Sequence, residues 1–344
     1  MNGNSAVQRF LPHLGVLLVG VIIFLLPNIG PTGKVLSLAT TTVIFAVGGA
    51  GLGFLWGQAG QLTLAHAAVF GLGAYTAAIC GKMLGTTFVE ALPLSILVGA
   101  ISGGLVALPS LRTKGHYFVI LTFAIGEVLA VIEQRWDSLT GGANGILITA
   151  GRQTVLGFTL MRRAEYYQLT VIFLTVVSLL LLILTRSRWG TILRGMRENA
   201  DLAASLGVNI AKQRLIAFAI AGAIAGLAGQ LYVYQVQFIA PSSFTTQTSI
   251  MFLLVTLLGG KAYLFGPAVG ALAYFFLPEL FGLPPITNQI AFGALLVLMI
   301  LLAPEGLLSV IGRTRRFFSR MRTRSRMTHE LEAREAAAEK GGQS

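Results

Sequence analysis

The chain is poor in charge, in acid and in cysteine. Only 11% of its 344 residues are charged, where soluble domains carry about 25%. Asp and Glu number 13 against 25 Lys and Arg. A soluble protein of this length needs a polar surface that these residues cannot supply. A soluble enzyme, a nucleic-acid module and a disordered chain are therefore excluded. The one cysteine, Cys80, excludes a disulfide framework within the chain and a cysteine-based metal cluster. A phosphate loop is also missing. Gly259-Gly260-Lys261 is followed by Ala262 rather than Ser or Thr, and no other segment fits that pattern. The chain is thus not expected to bind ATP by that device, and it offers no metal site.

What is abundant is apolar. Hydrophobic residues make up 55% of the chain, mean hydropathy is +0.77, and glycine occurs 41 times, as suits helices packed closely in lipid. A bilayer core of about 30 Å needs ~20 apolar residues per helix. Segments 10–26, 35–55, 62–80, 92–108, 116–132, 168–185, 215–233, 244–258, 264–281 and 286–303 meet or approach that length. They predict an all-α, polytopic transmembrane bundle of about ten segments, with short or broken helices near the midplane. Segment 244–258 is short, and Gly259-Gly260 could end a half-helix. The first segment exceeds a typical signal-peptide core and lacks a small-x-small cleavage pattern, so it reads as a retained helix. Residues 1–312 then form one membrane domain, and 313–344 a basic, then Ala/Glu-rich tail that carries +5 of the +12 net charge.

Basic clusters give the orientation. Arg186, Arg188, Arg194, Arg197, Lys212 and Arg214 crowd the loop 186–214, and seven arginines fall between 313 and 326. Positive charge favours the cytoplasmic side, and four crossings separate the two clusters. Both termini are expected inside, and the loop between Arg135 and Tyr167 outside. That loop also holds Arg152, Arg162 and Arg163, which runs against the rule.

Polar residues within apolar runs are costly and mark candidate sites. Gly57-Gln58-Ala59-Gly60-Gln61-Leu62-Thr63-Leu64-Ala65-His66 interrupts a helix with two glycines and supplies hydrogen-bonding groups. A broken helix along a polar pathway has this composition, so Gly60, Gln61, Thr63 and His66 are pathway candidates. A buried histidine with its hydrogen bond satisfied explains His66 alone equally well. Gly259 and Gly260 interrupt a second pair of apolar runs and join the candidates. An offset of 200 aligns Gly60 with Gly260 and Leu64 with Leu264, a weak sign of internal repetition. Glu127 lies deep in 116–132; it could bear a coupling proton, face a wet cavity or bond within the bundle. Thr140-Gly141-Gly142-Ala143-Asn144-Gly145 reads as a tight outer turn.

In the loop 186–214, Trp189, Ile192, Leu193 and Met196 repeat at helical spacing, with Arg188, Arg194 and Arg197 mostly on other faces. This predicts an interfacial helix whose cations face lipid phosphate. Asn199 or Asp201 can cap a second short helix that Gly207 ends in the left-handed conformation. A compact helix of that kind suits docking into a cleft of another protein, or is simply an amphipathic loop helix.

These blocks resemble the LivM-type permeases of branched-chain amino acid ABC importers. The resemblance is carried by Gly60-Gln61-Leu62-Thr63-Leu64-Ala65-His66 through Tyr75, by Leu111-Arg112-Thr113-Lys114-Gly115-His116, and by 140–145. It continues through 187–207, where Glu198, Asn199, Ala203, Ala204 and Gly207 look like the ATPase-coupling loop, and through Gly259-Gly260 to Gly270-Ala271. Asn144 stands where such permeases often carry an acid, and no Leu-Pro follows Gly207. The resemblance implies a non-enzymatic transport subunit of the bacterial inner membrane. Its partners would be a second, LivH-like permease, two cytoplasmic ABC ATPases carrying ATP and Mg, and a periplasmic substrate-binding protein. Related permeases carry urea or short amides, which is the alternative cargo. An ion-coupled carrier using Glu127 is the alternative class.

Overall fold

The computed structural model describes residues 4–30, 32–113, 115–148, 154–155, 158–160, 162–261, 263–281, 293 and 306. The expected span 286–303 apart from Gly293, the tail 313–344, Lys114, Arg152 and Ala262 lie outside the described residues. The helices are α1 (Asn4–Phe24), α2 (Gly33–Ala59), α3 (His66–Leu84), α4 (Phe88–Ala107), α5 (His116–Arg135) and α6 (Asp137–Thr140). They continue as α7 (Arg163–Arg186), α8 (Arg188–Glu198), α9 (Ala200–Ser205), α10 (Ile210–Val236), α11 (Thr246–Gly259) and α12 (Gly266–Phe281). Among the described residues, seven stretches are long and apolar enough to cross a membrane: α2, α3, Phe88–Leu111, α5, α7, α10 and Pro241–Gly259.

Successive long helices alternate in direction. Gln230 Nε2 near the end of α10 donates to the Phe88 carbonyl at the start of α4, 2.7 Å away. Arg214 near the start of α10 bonds the Ser110 carbonyl just past the end of α4, also at 2.7 Å. Lys34 at the start of α2 pairs with Glu279 near the end of α12 at 2.6 Å. One end of the bundle therefore carries α8 and α9, here called the basic end. At the opposite end, β1 (Ile146–Leu147) pairs antiparallel with β4 (Phe238–Ile239) and ties the α5–α7 loop to the segment after α10. Strands β2 (Thr154–Val155) and β3 (Phe158–Thr159) form a second small ribbon.

The core is a glycine-to-glycine contact. A Cβ added to Gly99 or Gly103 of α4 would strike the backbone of Gly222, Gly226 or Phe218 on α10, and the reverse additions strike α4. With no side chains between them, the two backbones touch directly. In lipid such packing, rather than a hydrophobic drive, holds helices together. Tyr75, Phe70, Phe88, Phe218 and Phe244 fill the remaining interior and are fully buried.

The expected span 62–80 begins late. Helix α2 ends at Gly60, whose φ of 69° is left-handed. Residues 61–65 are not helical, and α3 starts at His66 beside Gly48, near the middle of α2. The predicted break is thus present, and α3 begins part-way along the bundle. The expected 244–258 segment is the 14-residue α11.

Candidate functional site

Three segments singled out in the sequence meet at the basic end. Helix α8 lies against the end of α2, with Leu193 and Met196 buried. The expected direction of the cations needs correction for Arg194 and Arg197, while Arg188 is exposed. Arg194 donates to Gln58 Oε1 at 3.1 Å and to the Thr185 carbonyl at 2.7 Å. Arg197 donates to the Gly57 carbonyl. These guanidiniums turn back onto the last turns of α2 and α7 rather than toward lipid. The physical reason is that helix C-termini leave carbonyls without intrahelical partners, and a multi-donor cation satisfies them. The Arg197 chain also occupies the place of a Cβ at Gly60, its Cγ 2.6 Å from that position. Trp189 Nε1 donates to Gln213 Oε1 at 2.6 Å, which clamps α8 to the start of α10.

Helix α9 projects from this anchored base. Asn199 Oδ1 accepts from the Leu202 backbone N–H at 2.9 Å, so Asn199, not Asp201, is the cap. Gly207 follows at φ 85°. Ala203 is buried against the bundle, while Leu202 is 58% and Leu206 77% exposed. Glu198 and Ala204 are exposed beside them.

The second glycine break is different in shape. Helices α11 and α12 are joined by a tight turn in which Gly260 N–H bonds the Thr256 carbonyl and Gly266 N–H bonds the Tyr263 carbonyl. Gly259 and Gly266 touch backbone to backbone. The turn is thus closed, whereas 61–65 is an open non-helical segment of five residues. Lys261 Nζ sits 4.6 Å from the Trp56 ring centre. A cavity of about 100 Å³ between the turn, α2 and α7 is lined by Gln58, Thr185, Lys261 and Tyr263 among others. Gln58 and Thr185 are the groups that Arg194 holds.

Along the interrupted segment, Gln61 is half-buried and Thr63 and His66 are buried. Thr63 Oγ1 accepts from Ala65 N–H at 3.1 Å and so holds the non-helical turn. His66 Nε2 lies 2.9 Å from the Gly48 carbonyl, and its ring meets Phe252 edge-on. His66 thus has the satisfied, buried setting, and only about 10 Å³ of cavity adjoins it. It shapes the break rather than facing open space. Helix α5 lies over the segment, with Leu64 N–H donating to Thr122 Oγ1 at 3.1 Å. Few α5 side chains are buried. Glu127 stands on its exposed face and accepts from the Thr246 hydroxyl at the start of α11.

The turn 140–145 sits at the opposite end, away from these groups. Thr140 Oγ1 donates to the Glu133 carbonyl at 2.5 Å. Glu133 itself is buried, and neither carboxylate oxygen has a hydrogen-bond partner among the described residues. Glu133 stands just past the apolar run that ends at Ile132, although the helix continues to Arg135, so hydropathy does not single it out. Its signal was the six-residue spacing from Glu127, which puts it on another face of the same helix.

A polytopic helical bundle, with a glycine-broken helix and a docked basic loop, is the architecture of a multi-pass membrane protein. The comparisons make the family specific: residues 34–303 match the family described as "Branched-chain amino acid transport system / permease component", and the chain belongs to it. The high-affinity branched-chain amino acid transport system permease protein LivM of Escherichia coli is 32% identical over 294 residues, covering 79% of this chain and 69% of the relative. LivM of Salmonella typhimurium gives the same figures. A probable branched-chain amino acid transport permease protein LivH of Methanocaldococcus jannaschii is 26% identical over 262 residues, covering 70% of this chain and 80% of the relative. No solved structure matches the chain. The chain is a multi-pass membrane protein of LivM type.

Proposed function

We propose that this chain is one of two permease subunits of an ATP-driven importer for branched-chain amino acids in the bacterial inner membrane. A LivH-like subunit supplies the other half of the pore, two ABC ATPases bind the α8–α9 loop from the cytoplasm, and a periplasmic binding protein delivers cargo. ATP and Mg act on the ATPases. Glu198, Asn199, Ala203, Ala204 and Gly207 form the docking element. The observation that carries this reading is the bond of Arg197 to Gly57, beside the bond of Arg194 to Gln58. Through them, a push on α9 reaches the place where α2 ends and the chain breaks. Gly60, Gln61, Thr63 and His66 shape that break, Gly259 and Gly260 brace it across the Lys261 contact, and in this reading the exposed face of α5 with Glu127 is turned toward the pathway. Transport then follows from population shift: nucleotide-driven closure of the ATPases favours one setting of the loop over the other.

The test is uptake by the chain co-reconstituted with its partner subunits. Leucine accumulation is expected to require ATP and the ATPases, and to exceed that of urea. Ala204→Glu places a charge on the docking surface and is expected to lower uptake at least tenfold while folded permease is retained. Normal uptake in that variant contradicts the docking role.

A further inference from the structure

The exposed face of α5 is an apolar stripe with one acid in it. Ile120, Phe123, Val128 and Val131 are 65%, 40%, 58% and 53% exposed, and Glu127 lies among them at helical spacing. A carboxylate facing hydrocarbon is strongly disfavoured, and such residues face a wet cavity or another protein group. Among the described residues no cation pairs with Glu127; its bond is to the Thr246 hydroxyl, whose chain neighbours Thr245 and Gln247 are exposed. A carboxylate beside a hydroxyl and framed by apolar side chains is the chemistry that receives an ammonium group bearing an aliphatic chain. A charged acceptor binds a charged donor more strongly than a neutral one, whereas the aliphatic frame recognises only surface.

We propose that Glu127, positioned by Thr246, is a transient site for the α-ammonium of the amino acid in transit, with Ile120, Phe123 and Val131 against its side chain. This rests on the transport reading above and names the cargo-recognising group within it. No proton need be transferred, since a zwitterionic amino acid arrives with its ammonium already charged.

The experiment measures equilibrium binding of labelled leucine and of 4-methylpentanoate, which is leucine without its amine, to the purified permease–ATPase complex without the binding protein. The wild-type complex is expected to prefer leucine at least tenfold. Glu127→Gln should bring that preference close to one, and Glu127→Asp should keep most of it. Three results overturn the proposal: an undiminished preference in Glu127→Gln, no preference in the wild type, or loss of the second permease from the Glu127→Gln complex. The last would make Glu127 an interface residue. Failure of the wild type to accumulate leucine with ATP is a different result, and it removes the transport reading itself.

Discussion

Gly60 shows how one residue can serve backbone and neighbour at once. Its φ of 69° costs a residue with a Cβ roughly 1–2 kcal/mol, and the space a Cβ would need is held by Arg197. Gly207, at φ 85°, has open space around it. Gly60→Ala is therefore expected to lower the melting temperature of the purified protein more than Gly207→Ala, and to loosen Arg197 from Gly57. Equal shifts would show that the Arg197 contact adds nothing. The left-handed turn at Gly207 was legible in the sequence, because a glycine after a capped helix marks its end, while Gly60 was legible only as an interruption. The destination of Arg197 was not. Periodicity says which face of α8 is charged, but not that two helix ends with free carbonyls lie opposite it. Thr246 was invisible for the same reason, since its partner Glu127 is 119 residues away.

At the scale of elements, the α4–α10 contact bears the fold. Gly222→Leu is expected to destabilise by about 3 kcal/mol or more, because its new side chain meets the α4 backbone rather than a movable side chain. Gly104→Leu on α4 itself is the control, since nothing lies within 4 Å of its Cβ position. Yield and thermal stability in detergent decide it; equal losses would contradict the packing account. The long helices were readable from hydropathy alone. The start of α3 was not, because composition marks a break near Gly60 but not its length; the Gly60 turn, the Thr63 hydroxyl bond to Ala65 N–H and the Leu64 N–H bond to Thr122 hold 61–65 out of the helix. The shape of the second break was also hidden. Gly-Gly pairs allow either an open segment or a closed turn, and contact between Gly259 and Gly266 selects the turn.

At the scale of the whole molecule, helix directions place the start of α1 and the α8–α9 loop at one end, in keeping with the sidedness that the basic clusters predict. The charge-rich loop, the α2–α3 break and the α11–α12 turn form one connected unit there, while the 140–145 turn and the β1–β4 pair close the other end. The central claim is that this unit transmits work from bound ATPases to the pore. The direct measurement is the number of leucine molecules accumulated per ATP hydrolysed by the reconstituted complex, for the wild type and for Arg197→Ala. The account predicts that hydrolysis continues in Arg197→Ala while leucine accumulated per ATP falls at least tenfold. An unchanged ratio, or accumulation of leucine by the wild type without ATP, would contradict it.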